Sequence, residues 1–351
     1  MTVDRDVQES KQLELDRLAA ARAGDERAFG ELTLPLQREL HVHCYRMLGS
    51  LDDADDALQE TLLRAWRQLD GFEPRAPFRA WLYRIATNVC LTMLARRARR
   101  GEVELTVLEE ARSAAGRKES EPMHLDPYPD RLLDELAPIA PGPEATVVQQ
   151  EGVELAFVAA VQLLPPGQRA TLLLRDVIGY SAAEVAAILA TTVAGVNSAL
   201  QRARATLERE RIAGRVTRTH SPAGTVNEQA LVRRLADAWH ATDVPSIVAL
   251  LTEDALLTMP PLPDRYVGRE AIGAFLATRP AAGRLDRFRL VPTRANRQPA
   301  VAAYLREGDD GVYRAYMVIV LAIEGDAIAS LVRFRDPDLF ERFGLPTTLD
   351  V

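Results

Sequence analysis

The sequence predicts a multidomain chain, with two all-α segments joined by a flexible linker and then an α+β domain. Three observations carry this reading. Apolar residues recur at helical spacing through residues 12–100 and again through 151–214, with no strand-like alternation. Between them, residues 101–150 are rich in Pro, Gly, Ser and acid and cannot build a core of their own. From Asn227 onward helices give way to alternating strand patterns, an α+β order rather than a βαβ order.

The first segment opens with "LELDRLAAARAG", a helix that stops at Gly24. A second helix begins at an Asp25 cap and runs to Gly49, with an interruption expected at Pro35. Next comes "LDDADDALQETLLRAW", Leu51 to Trp66, with four aspartates in five residues. Leu58, Leu62 and Leu69, with Ala65 and Trp66 beside them, form its expected apolar face. Acid in the first turn suits the helix dipole, which accounts for Asp52, Asp53 and Asp55. Asp56, Gln59 and Glu60 continue past that turn onto an exposed stripe, which suggests a basic protein partner. "FRAWLYRIATNVCLTMLARRARR" closes the segment.

The stretch from Gly71 to Cys90 interleaves aromatic and cationic groups: Phe72, Arg75, Phe78, Arg79, Trp81, Tyr83 and Arg84. Pro74 and Pro77 make its start an irregular loop. Stacking rings among arginines are how proteins hold unpaired bases. Trp81 also reads as ordinary helix core. Asn88 lies one turn beyond Arg84 and could bond a base edge, while Arg96, Arg97, Arg99 and Arg100 extend that side toward phosphates.

Residues 101–150 read as linker, with a short helix at Arg131–Leu136. In residues 151–214, Ser181 and Glu184 have capping-box spacing. "AAEVAAIL", the turn "ATTV" and "AGVNSALQRARATL" then make a helix-turn-helix. Val196 and Leu200 face its core. Asn197, Ser198, Gln201 and Arg202 fall on the other side, where Asn and Gln suit adenine and arginine suits guanine. Arg204 and Arg209 are placed for phosphates. A helical hairpin with a solvated face is the plainer alternative.

Residues 215–226 are a second linker. Residues 227–346 hold helices at "EQALVRRLADAWHATDVPSIVALL" and "GREAIGAFLAT". Strands are expected at "ALLTMP", "FRLVPTRAN", "AVAAYLRE", "VYRAYMVIVLAIEG" and "AIASLVRF", as an antiparallel meander.

Composition excludes several function classes. The chain has 351 residues, 47% apolar, and a net charge of −7, so it is not a uniformly basic nucleic-acid binder. Lys11 and Lys118 are the only lysines. Cys44 and Cys90 sit in apolar helical patterns and read as buried thiols. No Cys/His spacing predicts a metal site, and no cofactor is expected. The polar N-terminal residues predict no secretory signal, and no apolar run predicts a membrane span, so the expected location is the cytoplasm.

These residues resemble a known family. "RELHVHCYRMLGSLDDADDALQETLLRAWRQLDGFEPRAPFRAWLYRIATNVC" resembles region 2 of extracytoplasmic-function sigma factors of bacterial RNA polymerase. "LPPGQRATLLLRDVIGYSAAEVAAILATTVAGVNSALQRARATL" looks like their region 4. The tether "DPYPDRLLDELAP" and the later "MPPLPDRYVGREAI" are similar to the sigma-G-like subgroup, whose members carry a SnoaL-like domain of the cone-shaped NTF2-like fold.

The resemblance implies that Asp56, Gln59 and Glu60 contact the β′ clamp coiled coil of core RNA polymerase. The Gly71–Phe78 loop and Asn88 would capture a flipped base of the −10 element, with Phe72, Arg75, Phe78, Arg79, Arg84, Arg96 and Arg97 around them. Asn197, Ser198, Gln201, Arg202 and Arg204 would engage the −35 element. The partners implied are core polymerase, through the β′ clamp and the β flap, and promoter DNA. Leu62 stands where primary sigma factors carry a polar clamp contact.

In the C-terminal domain, Trp239, Met259, Tyr266, Tyr304, Tyr316 and Arg333 are candidate pocket residues. That pocket would take a small-molecule ligand or an intramolecular contact. Asp254 and Asp264 are available carboxylates, but no carboxylate pair or His–Asp pair has convincing spacing, so no catalysis is expected of this domain; the resemblance implies a sigma factor with a regulatory C-terminal domain, not an enzyme. The alternatives are a stand-alone helix-turn-helix regulator and a small-molecule enzyme carrying DNA-binding appendages.

Overall fold

The computed structural model describes residues 2–73, 77–112, 125–134, 154–212, 226–260, 262–308 and 311–350. They form two compact units, residues 1–116 with 164–206, and residues 117–163 with 207–351.

The first unit is helical. Helix α1 (Thr2–Arg22) ends before Gly24, which takes the left-handed conformation at φ +94°. Helix α2 (Glu26–Leu48) is capped by the Asp25 carboxylate, which accepts from the Arg27 and Ala28 amides. It runs unbroken through Pro35, so the expected interruption does not occur. An interior proline costs a helix about 3 kcal/mol. Burial on both sides outweighs that here: Leu32 and Thr33 precede the proline, and every residue from Glu39 to Leu48 is buried after it.

Helix α3 (Leu51–Gln68) is capped by Ser50. Its buried stripe is Leu51, Ala54, Ala57, Thr61 and Ala65, mostly a small-residue face, and of the apolar face expected from spacing Ala65 and Leu69 are buried. Small side chains let α3 lie close on α2, which leaves Leu58, Leu62 and Trp66 half-buried. Helix α4 (Phe78–Arg112) continues past residue 100, into the stretch read as linker.

The same unit holds α7 (Pro166–Leu172), a π-helical turn (Leu173–Val177), α8 (Ala182–Ile188) and, as far as Thr206, α9 (Val193–Ile212). Arg169 of α7 is buried and donates to the Met47 and Leu164 carbonyls. Met47 lies in the last turn of α2, where carbonyls lack helical donors and a cation is favoured. The capping box of Ser181 and Glu184 forms as the sequence predicts.

The second unit is α+β. Its sheet has the order β2-β1-β6-β5-β4-β3, with β1 (Leu251–Met259), β2 (Leu262–Val267), β3 (Phe288–Ala295), β4 (Gln298–Leu305), β5 (Tyr313–Glu324), β6 (Ala327–Phe334) and a short β7 (Thr348–Leu349) on β5. Strands β3 to β6 form the expected meander, but β1 joins β6 in parallel. Strand β2 was not expected: it is a sheet edge that follows Pro260 and Pro261 and carries Pro263 in its sequence, the position where a sheet tolerates proline.

Helices α10 (Val226–His240), α11 (Val244–Ala249) and α12 (Arg269–Thr278) supply Leu235, Trp239, Ile247, Ile272 and Phe275 to the core on one face of the sheet. Helix α13 (Leu339–Arg342) places Phe340 against Tyr304.

Part of the expected linker belongs to this unit. Leu125, Tyr128, Asp130 and Leu133 are buried, around the short helix α5 (Asp130–Leu133). They dock on the β3–β4 turn, where Asn296 and Arg297 both have positive φ, the requirement of a two-residue hairpin loop. Asn296 exchanges two hydrogen bonds of 2.8 Å with the Tyr128 backbone. Asp130 accepts from the Arg297 amide at 2.7 Å and from Arg294 at 3.1 Å. The Pro-rich composition lacks a core of its own, as read from sequence, but it borrows that of another domain. Helix α6 (Leu155–Gln162), at the start of the segment 151–214, also groups here, with the Leu155 amide donating to Gln298.

Candidate nucleic-acid interface

On α3, Asp56 and Gln59 are exposed and have no partner among the described residues. Glu60 is half-buried and accepts from Arg64 at 2.6 Å. The earlier acids are engaged, Asp53 with Arg97 and Asp55 with His41. Beside Gln59 runs a groove that the sequence reading missed, lined by Glu26, Phe29, Leu62, Leu63 and Trp66. Phe29 and Trp66 meet edge to face at 5.1 Å, and Leu63 is 44% exposed. Of the residues whose spacing suggested a core face, Leu62 and Trp66 line this groove, while Ala65 and Leu69 are buried.

The aromatic loop differs from expectation. Phe72 and Phe78 are buried and pack on each other and on Trp81, with centroids 5.0–5.6 Å apart. They are the loop's own core, not free stacking platforms, because a loop between helices must still exclude water from its base. Arg22 fixes the entry to the loop by donating to the Leu69 and Phe72 carbonyls.

Arg79 is likewise committed. It forms a two-pronged bond with Glu39 at 2.7 and 3.0 Å and lies 4.9 Å over the Tyr83 ring. Burial opposes its charge, but Glu39 and the tyrosines outweigh burial and hold it charged beyond its ordinary range. Arg84, Asn88 and Arg96 of α4 are exposed. Arg97 is exposed but paired with Asp53. Arg75 lies outside the described residues.

In the helix-turn-helix, Val185, Ile188, Val196, Leu200 and Ala203 form the buried seam. Asn197, Ser198, Gln201 and Arg202 are exposed on one side of α9. Thr192 caps that helix by accepting from the Gly195 amide at 3.0 Å. Arg204 is exposed but bonds both Asp176 oxygens, at 2.9 and 2.7 Å, which ties α9 to the π-helical turn. It is a strut rather than the free phosphate contact expected from spacing.

The sequence places the two DNA-reading elements on domains separated by a tether. In the structure they share one unit, and Gly71, Phe72, Trp81, Arg84, Glu184 and Ile188 line a common cavity.

Of the six candidate pocket residues in the C-terminal domain, Trp239 and Met259 belong to the core on the helix-covered face, and Tyr266 and Tyr316 pack against it. Arg333 bonds Met259 on that face. Tyr304 does not join them. It alternates with the inward Ala303 and Leu305, so its ring meets Phe340 and its hydroxyl donates to the Pro346 carbonyl. Asp254 and Asp264 are exposed.

Comparison with known proteins agrees with this architecture. Residues 33–100 match sigma-70 region 2, residues 154–207 match sigma-70 region 4, and residues 232–331 match the SnoaL-like domain. The chain is 42% identical over 335 residues to the ECF RNA polymerase sigma factor SigG of Mycobacterium tuberculosis, covering 94% of this chain and 86% of that one. It is 36% identical over 200 residues to the RNA polymerase sigma factor CnrH of Cupriavidus metallidurans, covering 55% and 92%. The crystal structure of the extracytoplasmic function sigma factor SigJ of Mycobacterium tuberculosis shares the fold, with a TM-score of 0.56 and 24% identity over 91% of this chain and 99% of that one. The helical bundle, the helix-turn-helix and the α+β domain thus occur together in one family, and the chain belongs to the extracytoplasmic-function sigma factors of the sigma-70 family, non-enzymatic proteins that direct transcription initiation, with a SnoaL-like domain following region 4.

Proposed function

We propose that this chain binds core RNA polymerase in the cytoplasm through α3, with Asp56, Gln59 and Glu60 presenting charge to the β′ clamp and the adjoining groove of Phe29, Leu62, Leu63 and Trp66 taking apolar side chains. The carrying observation is that Asp56 and Gln59 stand exposed, without partners among the described residues, at the rim of an exposed apolar groove. A charged rim around an apolar centre is how transient protein interfaces gain both rate and affinity. No single helix among the described residues is long and apolar enough to cross a membrane.

Once the polymerase is bound, Arg84, Asn88 and Arg96 of α4, with the half-buried Trp81 and the loop carrying Arg75, contact −10 DNA. Asn197, Ser198, Gln201 and Arg202 read the −35 duplex. Phe72, Phe78, Arg79, Arg97 and Arg204 shape these surfaces from behind. The β flap is the second polymerase contact. The SnoaL-like domain regulates the factor through the tether docked on Asn296.

The test is complex formation between purified protein and bacterial core polymerase, measured by fluorescence anisotropy. Asp56→Arg with Gln59→Ala is expected to weaken binding about tenfold or more, the size of a lost charged interface contact. Equal binding by the variant would overturn the assignment of α3.

A further inference from the structure

The second unit contains an unbalanced pair of arginines. On β6, Arg333 is paired across the sheet with Ile319, whose side chain lies in the core, so Arg333 points to the same helix-covered face. It is half-buried and its Nη1 donates to the Met259 thioether at 3.4 Å. Arg335, two residues on, approaches the same ring: the Tyr316 centroid is 6.0 Å from one guanidinium and 4.8 Å from the other. Burial, and then the like charge of Arg335, lower the pKa of Arg333 below the ordinary arginine value, although Tyr316 opposes the shift.

Neither arginine meets a carboxylate among the described residues, whereas other arginines of this unit do. Among the described residues the buried carboxylates of the unit, Asp130 and Glu228, both accept from Arg294. Removing a cation from water without a counter-charge is costly, so an unmatched half-buried guanidinium beside a second one marks a place for an anion.

A second observation lies deeper. The Trp239 indole N–H is buried with no acceptor among the described residues. Trp239 meets Phe288 edge to face at 6.3 Å, and Phe288 meets Tyr316 in the same way at 5.6 Å. A line of rings therefore runs from an orphaned donor in the core to the two arginines at its edge, with Met259 and the Tyr266–Phe275 pair, at 4.6 Å, alongside.

We propose that this edge of the SnoaL-like domain binds a small organic acid, its carboxylate held by Arg333 and Arg335 and its apolar body lying along Tyr316 and Met259. Arginine suits this role because its planar fork matches a carboxylate, while the ring beneath it orients the guanidinium. The site lies on the helix-covered face of the sheet, apart from Tyr304.

The experiment is titration calorimetry on the full chain without polymerase, so its outcome is independent of how α3 functions. The probes are octanoate, decanoate and 2-naphthoate, each beside its neutral amide. At least one acid should bind saturably with one-to-one stoichiometry, and its amide about tenfold or more weaker, as expected for hydrogen bonds to a charged group. Arg333→Met should abolish the preference for acid over amide while leaving the melting temperature unchanged or raised, because it removes an unmatched buried charge. Arg335→Gln, at an exposed position, should weaken acid binding with the fold intact. Absence of saturable binding by all three acids, or equal binding of acid and amide, would overturn the proposal. So would a marked drop in melting temperature for Arg333→Met without ligand, or undiminished acid binding by Arg335→Gln.

Discussion

His43 shows what burial does to a single residue. It lies in the fully buried stretch of α2, with Nε2 bonded to Thr87 at 2.9 Å and the ring against Tyr83 at 5.2 Å. Burial first, and then the charges of Arg46 and Arg79, push its pKa from 6.5 down to about 3. The ring is therefore neutral in the folded protein, whereas in the unfolded chain it gains a proton as pH falls through 6.5. Folding is unaffected by this group above pH 6.5 and loses up to about 1.4 kcal/mol per pH unit below it, until the folded pKa is reached. Urea midpoints of wild type and His43→Gln should converge in slope above pH 7, and wild type should fall more steeply between pH 6 and 4.5. Parallel pH profiles would show that the imidazole is not the group responsible. The sequence shows His43 as one of a His-Val-His triplet; only packing shows it to be dry.

Helix α9 sorts its residues by which side they occupy. The 3.6-residue period, legible in the sequence, places Val196 and Leu200 inward and Asn197, Ser198, Gln201 and Arg202 outward, and the structure agrees. What spacing could not reveal is that Asp176 takes Arg204, since the two lie 28 residues apart in the chain. Arg202 and Arg204 should therefore behave differently on −35 duplex DNA bound by holoenzyme. Arg202→Ala should reduce discrimination at one base pair by about 1–3 kcal/mol, the worth of a good base contact. Arg204→Ala should leave discrimination unchanged and barely alter the salt dependence, because its guanidinium is already neutralised by Asp176. A competition assay across single-base variants measures both, and a uniform loss for Arg204→Ala would return that residue to the phosphate backbone. The error over α3 is of the same origin. Alanine and threonine make a tight face that looks weakly apolar in sequence, and Leu62 and Leu63 beside them line the groove.

For the molecule as a whole, the decisive feature is where the tether goes. Residues 125–134 dock on the hairpin that follows β3, about 160 residues later in the chain, through Asn296, Arg294 and Arg297. Asn296→Gly tests this contact cleanly. Glycine accepts the positive φ of that turn, so the hairpin is kept, while the side-chain acceptor for the Tyr128 amide is lost. The variant should keep its circular dichroism spectrum, expose the Tyr128–Arg131 region to limited proteolysis, and change promoter output in vitro if the SnoaL-like domain regulates through the tether. Unchanged proteolysis would mean that the remaining bonds of Asp130 suffice to hold the segment.

The sequence by itself determined most of the elements and carried the resemblance that names the family. Helical and strand periods, the Ser181–Glu184 capping box, the Asp25 cap and the acidic run before Gln59 are local, because each rests on residues a few positions apart. It also determined which side of α9 is buried and which is left exposed. The tertiary structure alone decided the fate of charges and rings whose partners are distant: Arg79 with Glu39, Arg204 with Asp176, Phe72 with Phe78 and Trp81, and Asp130 with Arg294. It alone decided that Pro35 stays inside a helix, that β1 runs parallel to β6, and that Leu125, Tyr128, Asp130 and Leu133 of the proline-rich tether are buried. The physical reason is common to all of these. Local propensities are worth tenths of a kcal/mol to a few kcal/mol per residue, while burial and ion pairing depend on what the rest of the chain brings alongside.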